Sequence, residues 1–464
     1  MQAPGTQGDG WGWVSTVAPY LLVALVAVLS PWLISILLRL DVPGINTIAG
    51  VVYLLPPARW NLYRKYCRKL LDALDIKQSV NHYVDLPYAA DEQDAAKIPL
   101  ADCFTRLSPS RRIVVIADGG RGKSTLCHKL AHRCVVKRDL FRRRRLVPVV
   151  LDGLAYAGDL LNTITNVLKD GGAYVNETIV SAQLEAGNLL IIFDGFSEIL
   201  EAHLAASSGD LPEFVQQHPD TPFIFTSRSN IPPGIQNALG DVLMIQLDDL
   251  DETTIRPFLG QYLKGGAQDV DALLKAVDEK FPHLPRIPLM LKLIANFYDK
   301  KATVPKDTAT LFADYVEQIL RHEVTHVNDS SGLHYAVRHL VRERYLRSGG
   351  DRGFTLHQGV RLLNGIKDGL LNYDIKLSPL SLLQLLVDAG LYKRSGDNLR
   401  FFHDSFESYF AACALKDDLD DGRDELLRQC ASNDRLREAW RLLCEILEES
   451  GEQRKLEQAL RKRG

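Results

Sequence analysis

The stretch ADGGRGKST, residues 117–125 of a 464-residue chain, sets three glycines, a lysine and two hydroxyl residues between two apolar runs. The residue types and their spacing suit a polyphosphate. Gly119, Gly120 and Gly122 let backbone N–H groups turn inward around anionic oxygens with no Cβ in the way. Asp118 and Arg121 complete the loop, and all of these positions are candidate cofactor contacts for ATP or ADP. Lys123 supplies an ammonium for the β- and γ-phosphates, and Ser124 a hydroxyl for Mg²⁺. Thr125 supports the loop or the α-phosphate. A helix opening near Lys123 adds the positive end of its dipole. In the pattern GxxxxGK[ST], Ala117 stands where the first glycine belongs. Were that position to need positive φ, alanine would cost about 1 kcal/mol. The bland alternative is a glycine turn before an amphipathic helix.

The elements needed to position this loop are legible around it. Residues 113–116 form a β-branched run suited to a buried parallel strand, and Leu126, Leu130, Ala131 and Cys134 follow at helical spacing. A second apolar run, residues 189–193, ends in Asp194, as a central strand delivers a carboxylate at its C-terminal edge. Asp194 would hold Mg²⁺ directly or through water, and Glu198 would orient or deprotonate the attacking water. A third strand, within TPFIFTSRSN, closes on Thr226-Ser227-Arg228. Residues 146–153 read as another parallel strand, and the segment between it and residue 189 as crossing helices. This alternation predicts an α/β fold with a parallel sheet, the P-loop NTPase core.

The phrase DGFSE at 194–198 resembles the acidic strand signature of the NACHT modules, which belong to the STAND class of P-loop NTPases. Ser197 replaces that signature's second acid, which puts fast hydrolysis in doubt. The resemblance implies that Arg228 is a sensor arginine near the γ-phosphate. It also implies that Pro288, in RIPLMLKLIANFY, packs near the adenine; a proline at the first helical position explains it equally well locally. The segment 401–415, FFHDSFESYFAACAL, resembles the family's winged-helix signature, with Ser408 intervening. By that resemblance His403 reaches the β-phosphate of bound ADP and keeps the module closed. A hairpin turning at residues 395–398 precedes it.

Residues 10–38 carry no charge, and a helix over 13–38 would be about 39 Å long, enough to span a bilayer. Trp11, Trp13 and Trp32 suit membrane interfaces, and Pro19 and Pro31 would kink such a helix. The uncharged stretch 42–58 fits a second span, a re-entrant piece or an interfacial segment equally well. Arg59, Arg64, Lys65, Arg68 and Lys69, with Trp60, Tyr63 and Tyr66 between them, read as a juxtamembrane cluster held on the cytoplasmic side. The run 142–145, four arginines, reads as a solvated loop or a lipid or partner contact. Seven cysteines without ligand spacing read as free thiols in a reducing compartment. A formal net charge of −3 gives no reason to expect nucleic acid as a partner.

The expected organisation is an N-terminal transmembrane and juxtamembrane region (1–70), a linker (71–110), the NACHT P-loop NTPase core (111–246), a small helical domain (247–310), a winged-helix domain (311–415) and a short helical tail (416–464). The expected function is a membrane-anchored switch operated by ATP, ADP and Mg²⁺. It would hydrolyse slowly and assemble into homo-oligomers on an unknown trigger, with output in innate immune, antiviral defence as the resemblance implies. The rival is a constitutive membrane-tethered ATPase that drives transport or remodelling.

Overall fold

The structure, a computed structural model, describes residues 56–76, 84, 86–90, 112–136, 146–153, 156, 158–196, 211–228, 231, 236–237, 239–281, 286–323, 330–350 and 352–461. The chain divides into two compact units. The first holds residues up to Ile116 and then Lys123–Gln246; the second holds Ala117–Gly122 and everything from Leu247.

In the first unit α1 (Pro56–Ile76), β1 (Tyr88–Ala90) and β2 (Arg112–Ile116) precede α2 (Lys123–Val136). Then come β3 (Val147–Asp152), α3 (Leu160–Asp170), α4 (Glu177–Glu185), β4 (Leu189–Asp194), α5 (Leu211–Gln217), β5 (Phe223–Ser227) and β6 (Val242–Leu247). The sheet order is β1-β6-β2-β5-β4-β3, and the pairs from β6 to β3 are parallel. Leu189, Leu190, Ile191, Ile192 and Phe193 are all buried, as a strand covered on both faces requires. Side-chain caps start the crossing helices: Asp159 accepts from the Asn162 N–H and Asn176 from the Ile179 N–H.

One register detail matters for chemistry. Phe193 pairs with Phe225, and Ile116 with Ser227, so Asp194 lies level with Thr226 at the carboxyl edge. Neighbouring β2 and β5 send their following connections to opposite sides, β2 toward β3 and β5 toward β6. Parallel sheets bind ligands at such a divergence.

Helix α1 departs from expectation. It runs across the boundary placed at residue 70, and Tyr63, Tyr66, Cys67 and Leu74 are buried in the core of this unit. The Tyr66 hydroxyl donates to the Pro148 carbonyl at 2.9 Å. Tyr63 and Tyr66, read as juxtamembrane residues, are therefore core residues, because their spacing and that of Cys67 put them on one helix face. Among the described residues no helix is long and apolar enough to cross a membrane; the expected span at 13–38 lies outside them.

The second unit is helical apart from one small sheet. It comprises α6 (Glu252–Leu259), α7 (Ala267–Lys280), α8 (Pro288–Lys301), α9 (Thr308–Glu323) and α10 (Ser331–Val341), the last continuing as one π-helical turn. β7 (Phe354–Thr355), α11 (Leu356–Asn364), α12 (Lys367–Leu371), α13 (Pro379–Asp388), β8 (Tyr392–Ser395) and β9 (Asn398–Phe401) follow. The antiparallel order is β7-β9-β8, with the hairpin between Ser395 and Asn398. Then α14 (Asp404–Asp420) leads to α15 (Glu425–Ala431), α16 (Arg437–Ser450) and α17 (Gln453–Arg461). Helix α14 crosses the boundary placed at 415. Leu442, Leu443 and Leu447 of α16 are buried, so the residues after 415 share this unit's core.

Candidate functional site

In the first unit, the carboxyl edge gathers the catalytic and metal candidates. Lys123, Ser124 and Thr125 form the opening turn of α2, all half-buried. Asp194 is the last residue of β4, also half-buried. The Thr226 hydroxyl donates to its Oδ1 at 2.7 Å and accepts from the Gly195 N–H at 2.8 Å. This relay holds the carboxylate through its Oδ1. Arg228 follows directly after β5 and is half-buried. The Cys127 thiol is pushed well up, first by burial, then by the Asp194 carboxylate, with Lys123 opposing. Both charges thus act on one point in the second turn of α2. Glu198 and Ser197 lie outside the described residues.

The glycine loop, residues 117–122, keeps company with the second unit. Gly120 and Gly122 adopt φ of 79° and 94°, where a side chain would be strained. Ala117 is not among the non-glycine residues with positive φ, so the strain considered for it is not incurred. Gly119 is needed for a different reason. A Cβ there, or on Gly120, would stand 3.1 Å from His403 Nε2.

His403 caps α14: its Nδ1 accepts from the Ser405 N–H at 3.2 Å. A neutral imidazole that accepts at Nδ1 carries its proton on Nε2. The nitrogen facing the loop glycines is therefore a donor, the right polarity for a phosphate oxygen. The Leu289 N–H donates to the Gly120 carbonyl at 3.2 Å, and Ile287 also approaches Gly120. Pro288, at the start of α8, sits between these two residues, in a position where its missing N–H costs nothing. Arg121 pairs with Asp249 at 2.6 Å and with Asp118 at 3.5 Å.

A parallel sheet, a strand leading to a glycine loop, a helix opening on Lys-Ser and an acidic residue ending the strand next but one occur together here. This is the arrangement of a P-loop with its acidic strand, read from the chain's own residues. These residues fit Mg²⁺ and nucleotide: a carboxylate held by a hydroxyl, a hydroxyl beside a lysine, and a glycine loop in which a Cβ on Gly119 or Gly120 would crowd His403.

No protein-family model matches the chain, and no curated protein matches it. Among solved structures it is similar to a Walker-type ATPase, PABY2304 of Pyrococcus abyssi, at 13% identity and a TM-score of 0.31, over 66% of this chain and 92% of that one. The Drosophila ORC bound to DNA gives 15%, a TM-score of 0.30, and 64% and 87% coverage. The RuvB Holliday junction branch migration motor of Thermotoga maritima gives 13%, 0.25, and 62% and 84%. The functional reading rests on this chain's own residues.

Thr226, Asp249 and Leu289 carry roles that the sequence did not assign. Thr226 was visible as the residue two before Arg228, but only strand register reveals its bond to Asp194. Nothing local marks Asp249 or Leu289.

Proposed function

We propose that this chain is a nucleotide-operated switch of the STAND class, anchored in a membrane, in which bound ADP is gripped through its phosphates by the glycine loop and His403. The observation that carries this reading is the placement of a donor nitrogen, His403 Nε2, over Gly119 and Gly120. A motor with rapid turnover gains nothing from a histidine closing over its phosphate loop. A switch does, because that contact raises the barrier to nucleotide release.

In this reading Lys123 and the loop N–H groups hold the β-phosphate, Ser124 and Asp194 hold Mg²⁺, and Thr226 keeps Asp194 aimed. ATP adds a γ-phosphate contacted by Lys123 and Arg228, and His403 gives way. Slow hydrolysis with Glu198 as the base restores the ADP form. Release of His403 permits homo-oligomer assembly, which concentrates the N-terminal apolar segments in one membrane patch. Output by membrane disruption or signalling in antiviral defence follows from the family resemblance alone.

Purified full chain should carry ADP and turn over slowly. Replacing His403 with alanine removes one hydrogen bond to a charged group, about 1.5–3 kcal/mol, and release of a fluorescent ADP should quicken about 10- to 100-fold. An unchanged release rate, or many turnovers per second from the unaltered chain, would favour the constitutive ATPase instead.

A further inference from the structure

Helix α1 has two faces of different chemistry. Its inner face is fixed: Tyr63, Tyr66, Cys67 and Leu74 are buried in the α/β unit. Its outer face carries Arg64, Lys65, Arg68 and Lys69, all exposed, with the exposed Asp72 beside them. Lys69 donates to the Asp170 carbonyl at 2.8 Å, and the Lys65 stem lies over Gly172, so this face extends to the end of α3. The basic residues are thus mounted on a docked helix and cannot reorient independently of the sheet.

Two further observations identify what this face meets. The chain before α1 contains 29 consecutive uncharged residues, 10–38, and α1 starts at Pro56, only 17 residues after them. The face also points away from the phosphate chemistry. Tyr66 bonds to Pro148 at the beginning of β3, and Cys67 acts on the Cys134 thiol in the last turn of α2. Lys123 opens α2 at its other end, about 16 Å distant along the helix axis.

We infer that the basic outer face of α1 lies on the surface of an anionic phospholipid bilayer, where Arg64, Lys65 and Arg68 contact lipid headgroups and hold the phosphate edge of the sheet toward the aqueous side. This rests on the anchoring reading and deepens it. A bare tether leaves the α/β unit free to tumble beneath the membrane. A docked basic face gives it one orientation. Each basic residue near such a surface contributes about fivefold to its occupancy, so three supply about 100-fold, and salt weakens the contact.

The full chain, labelled with a dye at Ala73→Cys on the exposed side of α1, is mixed with vesicles of phosphatidylcholine alone or with about one-third phosphatidylserine, each carrying headgroup spin labels. Flotation reads anchoring, and dye quenching reads the face. The expected result is flotation with both vesicles and quenching only with the anionic ones, abolished by high salt and by the triple variant Arg64→Gln, Lys65→Gln, Arg68→Gln. Nucleotide binding by that variant checks that it is folded. Flotation with both vesicles but equal quenching, or quenching indifferent to the triple variant, overturns the proposal and leaves anchoring intact. Salt-sensitive flotation with anionic vesicles alone, lost in the triple variant, sustains the basic face and refutes the anchor. Absence from both vesicle fractions refutes both.

Discussion

The carboxylate of Asp194 is held by a threonine hydroxyl on the adjacent strand, and under the proposed function that bond separates metal binding from nucleotide binding. Thr226→Val keeps the shape but deletes the donor to Oδ1 and the acceptor for the Gly195 N–H. The expected loss is about 1.5–3 kcal/mol of Mg²⁺-dependent affinity, about 10- to 100-fold, with Mg²⁺-free nucleotide binding little changed. Titrating a fluorescent nucleotide with and without Mg²⁺ measures both; an equal loss in the two series would make Thr226 a packing residue only. Lys123, Ser124 and Asp194 were legible because each ends or opens an element whose apolar pattern is unmistakable. Thr226 was not, since its role exists only once β4 and β5 are in register.

Helix α14 carries a buried charge network close to His403. Arg352 pairs with Asp404 and lies 3.7 Å from Glu407, while Arg400 of β9 lies 3.6 Å from Asp404. Burial pushes the Glu407 carboxyl up from 4.5 to about 7, and the two arginines only partly oppose it. Between those values the folded chain holds a proton that the unfolded chain has released. The stability this group contributes is therefore full below about pH 4.5 and lost as pH rises through about 7. Melting should show a midpoint that falls more steeply between about pH 4.5 and 7 in the unaltered chain than in Glu407→Gln. Parallel curves would place the titration elsewhere. The helix itself was foreseeable from its aromatic spacing, and the hairpin before it from Ser395-Gly396-Asp397-Asn398. The network was not, since Arg352 is remote in sequence and becomes a partner only through folding. For α1 only the inner face was missed: the helical spacing of Tyr63, Tyr66 and Cys67 was present, but the charges between them masked a core-facing stripe.

At the level of the whole chain, anchoring by the uncharged segment predicts that full-length protein resists extraction from membranes by alkaline carbonate. A span of about 20 apolar residues inserts with an affinity that washing at high pH does not overcome, whereas headgroup contacts alone are stripped. Recovery of the chain in the carbonate supernatant would remove the anchor from the proposed function without touching the phosphate site. The expectation of a span rests on charge-free length alone, and the segment lies outside the described residues.

The chain leaves the α/β unit after Ile116 and re-enters it at Lys123, so the phosphate loop is a six-residue excursion that belongs structurally to the later half of the sequence. A fragment ending at Gln246 retains every parallel strand but takes from its own loop the aspartate, the leucine N–H and the imidazole that shape it. Under the proposed function, a sheet-only fragment therefore keeps the loop's sequence without the residues that hold the loop, and exchanging the C-terminal half alters the surroundings of the loop glycines.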